Sequence, residues 1–310
     1  MDWVISDIGI SLSPSFYYNV DIFLYSTSFF SLMLQQAILS WYSKSGRKLP
    51  WRETQNPYHI LVSEMMLQQT QVDRVIPKYH AFLERFPTVG SLAASSSAEV
   101  LQYWSGLGYN RRALYLHRSA QEIVKRKEFP QRVEELEKLP GLGPYTAAAV
   151  LSFALNKDVV VIDVNISLLY KRIFYPRTDV ETIAQEVLPL GRSRDWHNAL
   201  MDLGSLYCHR KNPDCACCPL QTLCASAKDS KKIEGTWVAK KVKAFKISDR
   251  IVRGGILKLL TKKDGQDISL LRRALELQDI VREEKVFLSI LTKLEKDGLV
   301  VVKGEKVFLP

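Results

Sequence analysis

The stretch from Lys138 to Asn165, KLPGLGPYTAAAVLSFALNKDVVVIDVN, decides the reading of this chain. Leu139 to Ala147 form a tight turn in which Gly141 and Gly143 can take positive φ, and the turn opens an apolar helix through Val150, Leu151 and Leu155. The first N–H groups of that helix would point one way, forming a nest that binds an anion without a basic side chain. Because glycine carries no Cβ, the backbone can sit directly on a phosphate. Beyond the helix, the apolar run Val159 to Ile162 ends at Asp163, with Asn165 two residues on. Taken alone, the turn is equally a glycine-terminated junction between two helices.

The chain around it has 310 residues, enough for two domains and a tail, and 46% hydrophobic with 25% charged residues suits a globular protein. A net charge of +10 indicates a polyanionic partner. The charge is concentrated in Ala225 to Pro310, where 20 Lys and Arg face 12 Asp and Glu. All five cysteines fall between Cys208 and Cys224. Such clustering argues against a secreted disulfide framework and for a metal site in a reducing compartment. Residues 1 to 32 contain no basic residue, so no signal peptide is evident. Ile22 to Leu34 is too short and too rich in serine and threonine for a membrane span. We expect this extension to be without function, and Met33 would serve as a start codon.

Helical spacing begins at Leu34 and continues to Ser43, and Lys48-Leu-Pro-Trp-Arg52 breaks it. The next element, Tyr58 to Gln71, is long, apolar and centred on Glu64. Periodicity alone favours placing Glu64 on a solvated stripe, since a lone glutamate is seldom buried. A pocket is the alternative.

The order of local motifs reverses that preference. Leu49-Pro-Trp-Arg52, then Ser63 to Val72 (SEMMLQQTQV), then Gly106-Leu-Gly-Tyr109, then the glycine turn and Asp163, resembles the base-excision DNA glycosylases of the endonuclease III superfamily. Within it, the resemblance is to the MutY-type adenine DNA glycosylases, and it covers about Leu34 to Cys224. It implies a mainly α helix-hairpin-helix fold and excision of adenine from double-stranded DNA with an A:8-oxoguanine or A:G mispair. It also implies a role for each matching residue. Glu64 matches the acid that protonates the leaving adenine, Asp163 the carboxylate under the sugar, and Asn165 a residue that positions that site. Tyr145 stands where bifunctional members carry a Schiff-base lysine, which implies base removal without strand cutting. Gln68 matches the wedge that fills the gap left by the flipped base, and Tyr109 the aromatic beside the opposing purine. Trp51, Arg52 and Leu67 match residues lining the adenine pocket. Gly141 and Gly143 match the hairpin that holds the DNA backbone. Singly, Trp51 and Leu67 read as core, Arg52 as a surface charge and Tyr109 as a turn aromatic. The sequence departs from the family at Val164, which stands in place of a small residue between the aspartate and asparagine, and at Asn110 and Ser167.

Cys208, Cys215, Cys218 and Cys224 follow with six, two and five residues between them. Four thiolates at such spacing can hold a [4Fe–4S] cluster or a zinc ion. The resemblance implies the cluster, with Cys217 as a spare thiol.

We therefore expect the glycosylase domain over residues 33–226, with a six-helix lobe at about 60–160 and a second lobe from 33–59 and 161–226. A linker at 227–248 and a module at 249–310 follow. In the module, Ile251 to Leu260, Ile268 to Leu277 and Arg282 to Lys296 read as helices, and a hairpin crosses Gly304. Three helices and a hairpin suggest a winged helix, with Lys285, Lys293, Lys296, Lys303 and Lys306 placed to meet phosphates. The larger β-rich domain with which MutY-type enzymes check for 8-oxoguanine finds no counterpart here. The expected protein is a cytoplasmic or nucleoid-associated monomer, nuclear in a eukaryote. A thymine or uracil mismatch glycosylase of the same superfamily, or a non-catalytic DNA-binding protein, are the rival readings.

Overall fold

Helix α2 (Pro57–Leu67) begins where Pro57 occupies its first turn and the Asn56 side chain accepts the Tyr58 N–H at 2.9 Å. From Ile60 to Met66 every residue is buried. A helix apolar on all sides belongs inside a bundle, and α2 packs on the equally buried α8 (Pro144–Leu155). Around this pair stand α3 (Val72–Arg85), α4 (Val89–Ala93), α5 (Ser97–Trp104), α6 (Arg111–Arg126) and the short α7 (Val133–Leu136). The computed structural model describes residues 21–227, 229, 249–280 and 283–310, so the expected linker falls almost wholly outside the described residues.

A second core joins α1 (Asp21–Ser45) to α9 (Val164–Ile173), α10 (Val180–Val187) and α11 (Ser193–Leu206), around Leu34, Tyr170, Trp196 and Leu200. Between the two cores, a 3-10 turn (Pro50–Arg52) takes the place of a continued helix. Helix α1 begins well before Met33. The Phe30 ring lies edge-on to Phe174 at 5.6 Å and the Ser31 hydroxyl donates to the Glu186 carbonyl at 3.4 Å. Packing of the second lobe thus reaches into the segment expected to be without function. Among the described residues, no helix is long and apolar enough to cross a membrane.

The C-terminal module comprises α12 (Asp249–Lys262), β1 (Gln266–Asp267), α13 (Ile268–Glu276), α14 (Glu284–Lys296), β2 (Val301–Lys303) and β3 (Lys306–Phe308). Its sheet runs in the order β1-β3-β2, antiparallel throughout, with Val307 opposite both Gln266 and Val302. The three helices stand close to their expected bounds, although Arg282 lies outside the described residues. Strand β1 was not expected, because two residues carry no periodicity. Val252, Ile256, Leu257 and Leu260 repeat at helical spacing and meet Leu271, Leu275, Phe287, Ile290 and Leu294 in an apolar core. That core is continuous with the lobe of α2 to α8, which has seven helices where six were expected because the short α7 adds one, and α12 packs there on α5. Asp297 adds a polar clasp, pairing with Arg111 of the lobe and Arg253 of the module.

Candidate active site

A pocket of about 260 Å³ opens between the two lobes, and Trp51, Arg52, Glu64, Leu67, Tyr145, Asp163 and Asn165 all line it. Glu64 is only 6% exposed, so the pocket reading holds and the solvated stripe does not. Burial raises its pKa to about 7, against the lowering effect of a hydrogen bond from the Tyr145 hydroxyl. Tyr145 is itself pushed well above the usual tyrosine range by burial and the neighbouring carboxylates.

Asp163 has a different environment. It is the N-cap of α9, and its Oδ1 accepts the N–H groups of Asn165 at 2.9 Å and Ile166 at 2.7 Å, while the Asn165 amide reaches Oδ2 at 3.3 Å. Burial raises its pKa, and these three donors to the charged form work against the rise. The apolar run before it stops because the aspartate caps the helix after it. Val164, the departure from the family pattern, is 63% exposed at the first position of α9 and leaves the cap intact. Asn165 is approached closely by Gly204 of α11, where an added Cβ would stand 2.9 Å from the Asn165 Cβ.

Two further side chains fix this arrangement. His197 on α11 accepts the Val161 N–H at Nε2 (3.1 Å), tying α11 to the run that delivers Asp163. Its Nδ1 donates to the Ser193 carbonyl at 2.8 Å, and burial lowers its pKa to about 4, so the ring is neutral. Arg52 is no surface charge: its two terminal nitrogens donate to Asp202, each at 2.8 Å, and Arg47 joins at 2.6 Å. The Arg52 Nε is buried without a hydrogen-bond partner, so the guanidinium is held in place by Asp202 through its two terminal nitrogens. Trp51 packs edge-on to Tyr79 at 5.6 Å.

Gln68 and Tyr109 lie outside that pocket. Gln68 ends α2, with its amide 3.3 Å from the Thr146 hydroxyl, and Tyr109 sits at φ 47° on the turn before α6. Arg112 binds the two turns together, donating to the carbonyls of Met65, Gln68 and Gly108 at 2.7, 2.7 and 3.0 Å. Desolvation lowers its pKa to about 10.

In the hairpin, Gly141 has φ 77° and an added Cβ would strike the Tyr115 side chain at 2.6 Å. Gly143 instead has φ −96° and caps α8 in extended conformation, with open space where a Cβ would go. Of the two glycines only Gly141 is left-handed. Pro144 removes one N–H, so Tyr145 and Thr146 supply the first unpaired donors of the helix.

The four expected cysteines line one cavity, and Cys217 is exposed outside it. Among the described residues no three His, Cys, Asp or Glu side chains converge on a point for a single ion. Buried Arg172 supports the loop, donating to the carbonyls of His209 (2.8 Å) and Arg210 (3.1 Å) and to the Cys208 Sγ (3.3 Å). Sequence reasoning missed Arg47, Arg112, Arg172, His197, Asp202 and Gly204. Each works through a residue distant in the chain.

Residues 62–190 match the family described as HhH-GPD superfamily base excision DNA repair protein. The adenine DNA glycosylase of Mycolicibacterium smegmatis is 39% identical over 233 residues, covering 72% of this chain and 78% of that protein. The adenine DNA glycosylase of Buchnera aphidicola subsp. Baizongia pistaciae is 39% identical over 65% of this chain, which spans 60% of that protein. Against the human adenine DNA glycosylase, the chain is 35% identical and spans 38%. A thermostable thymine-DNA glycosylase superposes with a TM-score of 0.61 at 26% identity, covering 66% of this chain and 99% of its own. Endonuclease III in a non-covalent complex with DNA shares the fold at a TM-score of 0.54 and 21% identity, over 69% of this chain and 99% of its own. With the buried Glu64 and capped Asp163 on the helix-hairpin-helix frame, these likenesses show that the chain belongs to the adenine DNA glycosylases of the HhH-GPD superfamily of base excision DNA repair proteins.

Proposed function

We propose that the protein is a monofunctional glycosylase that hydrolyses the N-glycosidic bond of adenine mispaired with 8-oxoguanine or guanine in double-stranded DNA. The observation that carries this is the pairing of Glu64 and Asp163 in one pocket, both raised in pKa by burial, with only Asp163 held by backbone N–H donors. Adenine leaves only if it departs neutral and the developing positive charge on the sugar is met. Glu64, poised near pH 7 by burial, delivers a proton to the purine. Asp163, held by three N–H donors, faces the oxocarbenium-like sugar as an anion, stabilising it or trapping it until water attacks. Tyr145 offers a hydroxyl and no amine, so no Schiff base forms and the product is an abasic site.

The extruded base enters a pocket whose walls include Trp51, Arg52 and Leu67. The hairpin, with an open face at Gly143, takes the phosphate backbone. The C-terminal topology of three helices and a three-stranded antiparallel sheet suits a winged helix.

We assign a [4Fe–4S] cluster to Cys208, Cys215, Cys218 and Cys224. The cavity they share, the exclusion of Cys217 and the donor from Arg172 fit four thiolates around an anionic cluster. Its contribution is to hold the loop that carries His209, Arg210 and Lys211.

The test is a set of duplexes carrying A opposite 8-oxoguanine, A opposite G, and T or U opposite G, incubated with protein and then treated with alkali. Cleavage confined to the adenine strand supports the proposal. Cleavage of G:T or G:U alone would move the assignment toward the thymine-DNA glycosylase that the fold also resembles, and strand breaks before alkali would refute the monofunctional step.

A further inference from the structure

Asp202 of α11 is fully buried and does not line the pocket, whereas Arg47 and Arg52 do. Its Oδ1 accepts the Arg47 Nε at 2.6 Å and one Arg52 terminal nitrogen at 2.8 Å. Its Oδ2 accepts the other Arg52 terminal nitrogen at 2.8 Å and the Arg47 backbone N–H at 2.9 Å. A carboxylate offers about four acceptor positions, so none is left over for a molecule in the pocket. Burial works to raise the Asp202 pKa, but the donors from Arg52 and Arg47 outweigh it and hold the group below the usual carboxylate range. Asp202 is therefore an anion that takes no direct part in proton transfer. The cation it meets lies beside the acid: Arg52 lines the pocket with Glu64 and favours the Glu64 carboxylate. The Arg52 side chain is only 8% exposed, so water screens its charge weakly. Asp163 at the cap of α9 acts on Glu64 in the opposite sense, and the Tyr145 hydroxyl of α8 bonds to its charged form. Arg194 of α11 also lines the pocket and donates to the Ala154 carbonyl at 2.6 Å, while Tyr42 of α1 lies against Arg52, its ring centre 5.8 Å from the guanidinium.

We propose that Asp202 is a positioning residue for the protonation of adenine: it fixes the Arg52 guanidinium and cancels its charge, so that Glu64 keeps its proton until the base arrives. The proposal deepens the glycosylase reading and rests on it. An arginine without a counter-charge in the pocket wall would stabilise the Glu64 carboxylate, and the acid would meet its substrate deprotonated. The paired arginine remains a wall of the pocket without that effect. Two arginines and one carboxylate leave one positive charge, and it is best screened at Arg47, whose side chain is 31% exposed against 8% for Arg52.

The experiment compares wild type, Asp202→Asn, Arg52→Gln and the double variant Arg52→Gln/Asp202→Asn in single-turnover release of adenine between pH 5 and pH 9, with protein saturating the DNA. Asparagine keeps the shape of Asp202 and removes its charge. In Asp202→Asn the high-pH limb of the profile should move down by about one pH unit, the effect of one opposite charge near a carboxyl, so the ratio of release at pH 8 to release at pH 5 falls about tenfold. Arg52→Gln should move the limb up, and the double variant, with the net charge of the wild-type cluster, should return it to the wild-type position. A limb unmoved in Asp202→Asn, with release lowered by one factor at every pH, is what a merely structural role produces and would overturn the proposal. Where Asp202→Asn does not fold, Arg52→Gln and the double variant decide, since they differ by the Asp202 charge alone, and coincident limbs would overturn it. A second readout needs no chemistry. The melting temperature of each protein minus that of its Glu64→Gln counterpart reports the proton held by Glu64, a stabilisation lost as pH rises through about 7 in the wild type. Its change between pH 5 and pH 8 should be smaller in Asp202→Asn than in wild type, and smaller in the double variant than in Arg52→Gln; equal changes would sink the proposal. If the wild type releases adenine from no duplex, the glycosylase reading fails by itself, and the melting comparison still decides whether Asp202 governs the Glu64 proton.

Discussion

The Arg112 guanidinium donates to the Gln68 carbonyl at 2.7 Å, so the turn that ends α2 is held by the helix that follows Tyr109. The same group collects the carbonyls of Met65, Met66 and Gly108 in the interior. Arg112→Ala would leave these acceptors without a donor, at a cost on the order of 3 kcal/mol. Lysine would not restore the set, because a point charge cannot span acceptors that a planar fork reaches. Urea denaturation of the two variants is the check, and stability within about 0.5 kcal/mol of wild type would contradict the role.

Glu64→Gln and Asp163→Asn should each lower adenine release by orders of magnitude while DNA binding persists. The fold should tolerate both, since glutamine keeps the shape of Glu64 and asparagine is a competent N-cap. Glu64 also makes stability depend on pH. Its pKa rises from 4.5 to about 7 on folding, so the folded protein binds more protons within that interval and stability falls as pH rises through it. The loss should be on the order of 3 kcal/mol and absent from Glu64→Gln. Excision should decline over the upper part of the same range as the acid loses its proton. Parallel melting curves of the two proteins at pH 5 and pH 8 test the first statement.

The hairpin glycines should separate. Gly141→Ala places a Cβ 2.6 Å from the Tyr115 side chain at φ 77°, which should cost more than about 1 kcal/mol. Gly143→Ala meets no protein atom within 4 Å and should cost less than that in stability. It should nevertheless weaken DNA binding, because its methyl occupies the face where the backbone approaches. Calorimetric melting and a binding titration on the same two variants decide it; unchanged affinity in Gly143→Ala would place the phosphate elsewhere.

Much of this site was legible because its parts are local in sequence. The glycine turn, the carboxylate at the end of an apolar run and the cysteine spacing each announce themselves within a few residues. The position of Glu64 was not legible from periodicity, since a lone glutamate on an apolar helix reads as a solvated stripe; only the order of motifs along the chain placed it in a pocket. Arg112, His197 and Asp202 were beyond reach for a different reason. Their partners are carbonyls, an N–H or arginines from other segments, and side-chain type alone does not say which buried backbone a charge will serve. The docking of the module was hidden similarly, because the apolar positions of α12 satisfy its own core and the lobe at once.

The cysteines give a test independent of activity. Cys217→Ser should retain iron and a visible absorbance, because Cys217 stands outside the shared cavity, whereas Cys215→Ser should lose both. Stoichiometric zinc in the wild type, with no visible absorbance, would replace the cluster by a structural zinc site.

The module carries the last prediction, and its packing determines how the experiment must be done. A truncation ending at residue 248 would uncover the face of α5 on which α12 packs, and remove Asp297 from Arg111. It should therefore melt at a lower temperature than the full chain, and any change in its DNA binding would mix lost contacts with lost stability. Neutralising side chains in place avoids this. Lys285, Lys296, Lys303 and Lys306 are exposed on α14 and around the β2–β3 hairpin, whereas Lys293 is engaged with Asp249. Replacing these four by glutamine should leave the melting temperature unchanged. Each lysine that neutralises a phosphate adds roughly −0.9 to the slope of log K against log salt, so the fourfold variant should flatten the slope by up to about 3.6 units. Base release at saturating protein should not change, since none of the four lines the pocket. A slope equal to that of the wild type would turn this lysine face away from DNA.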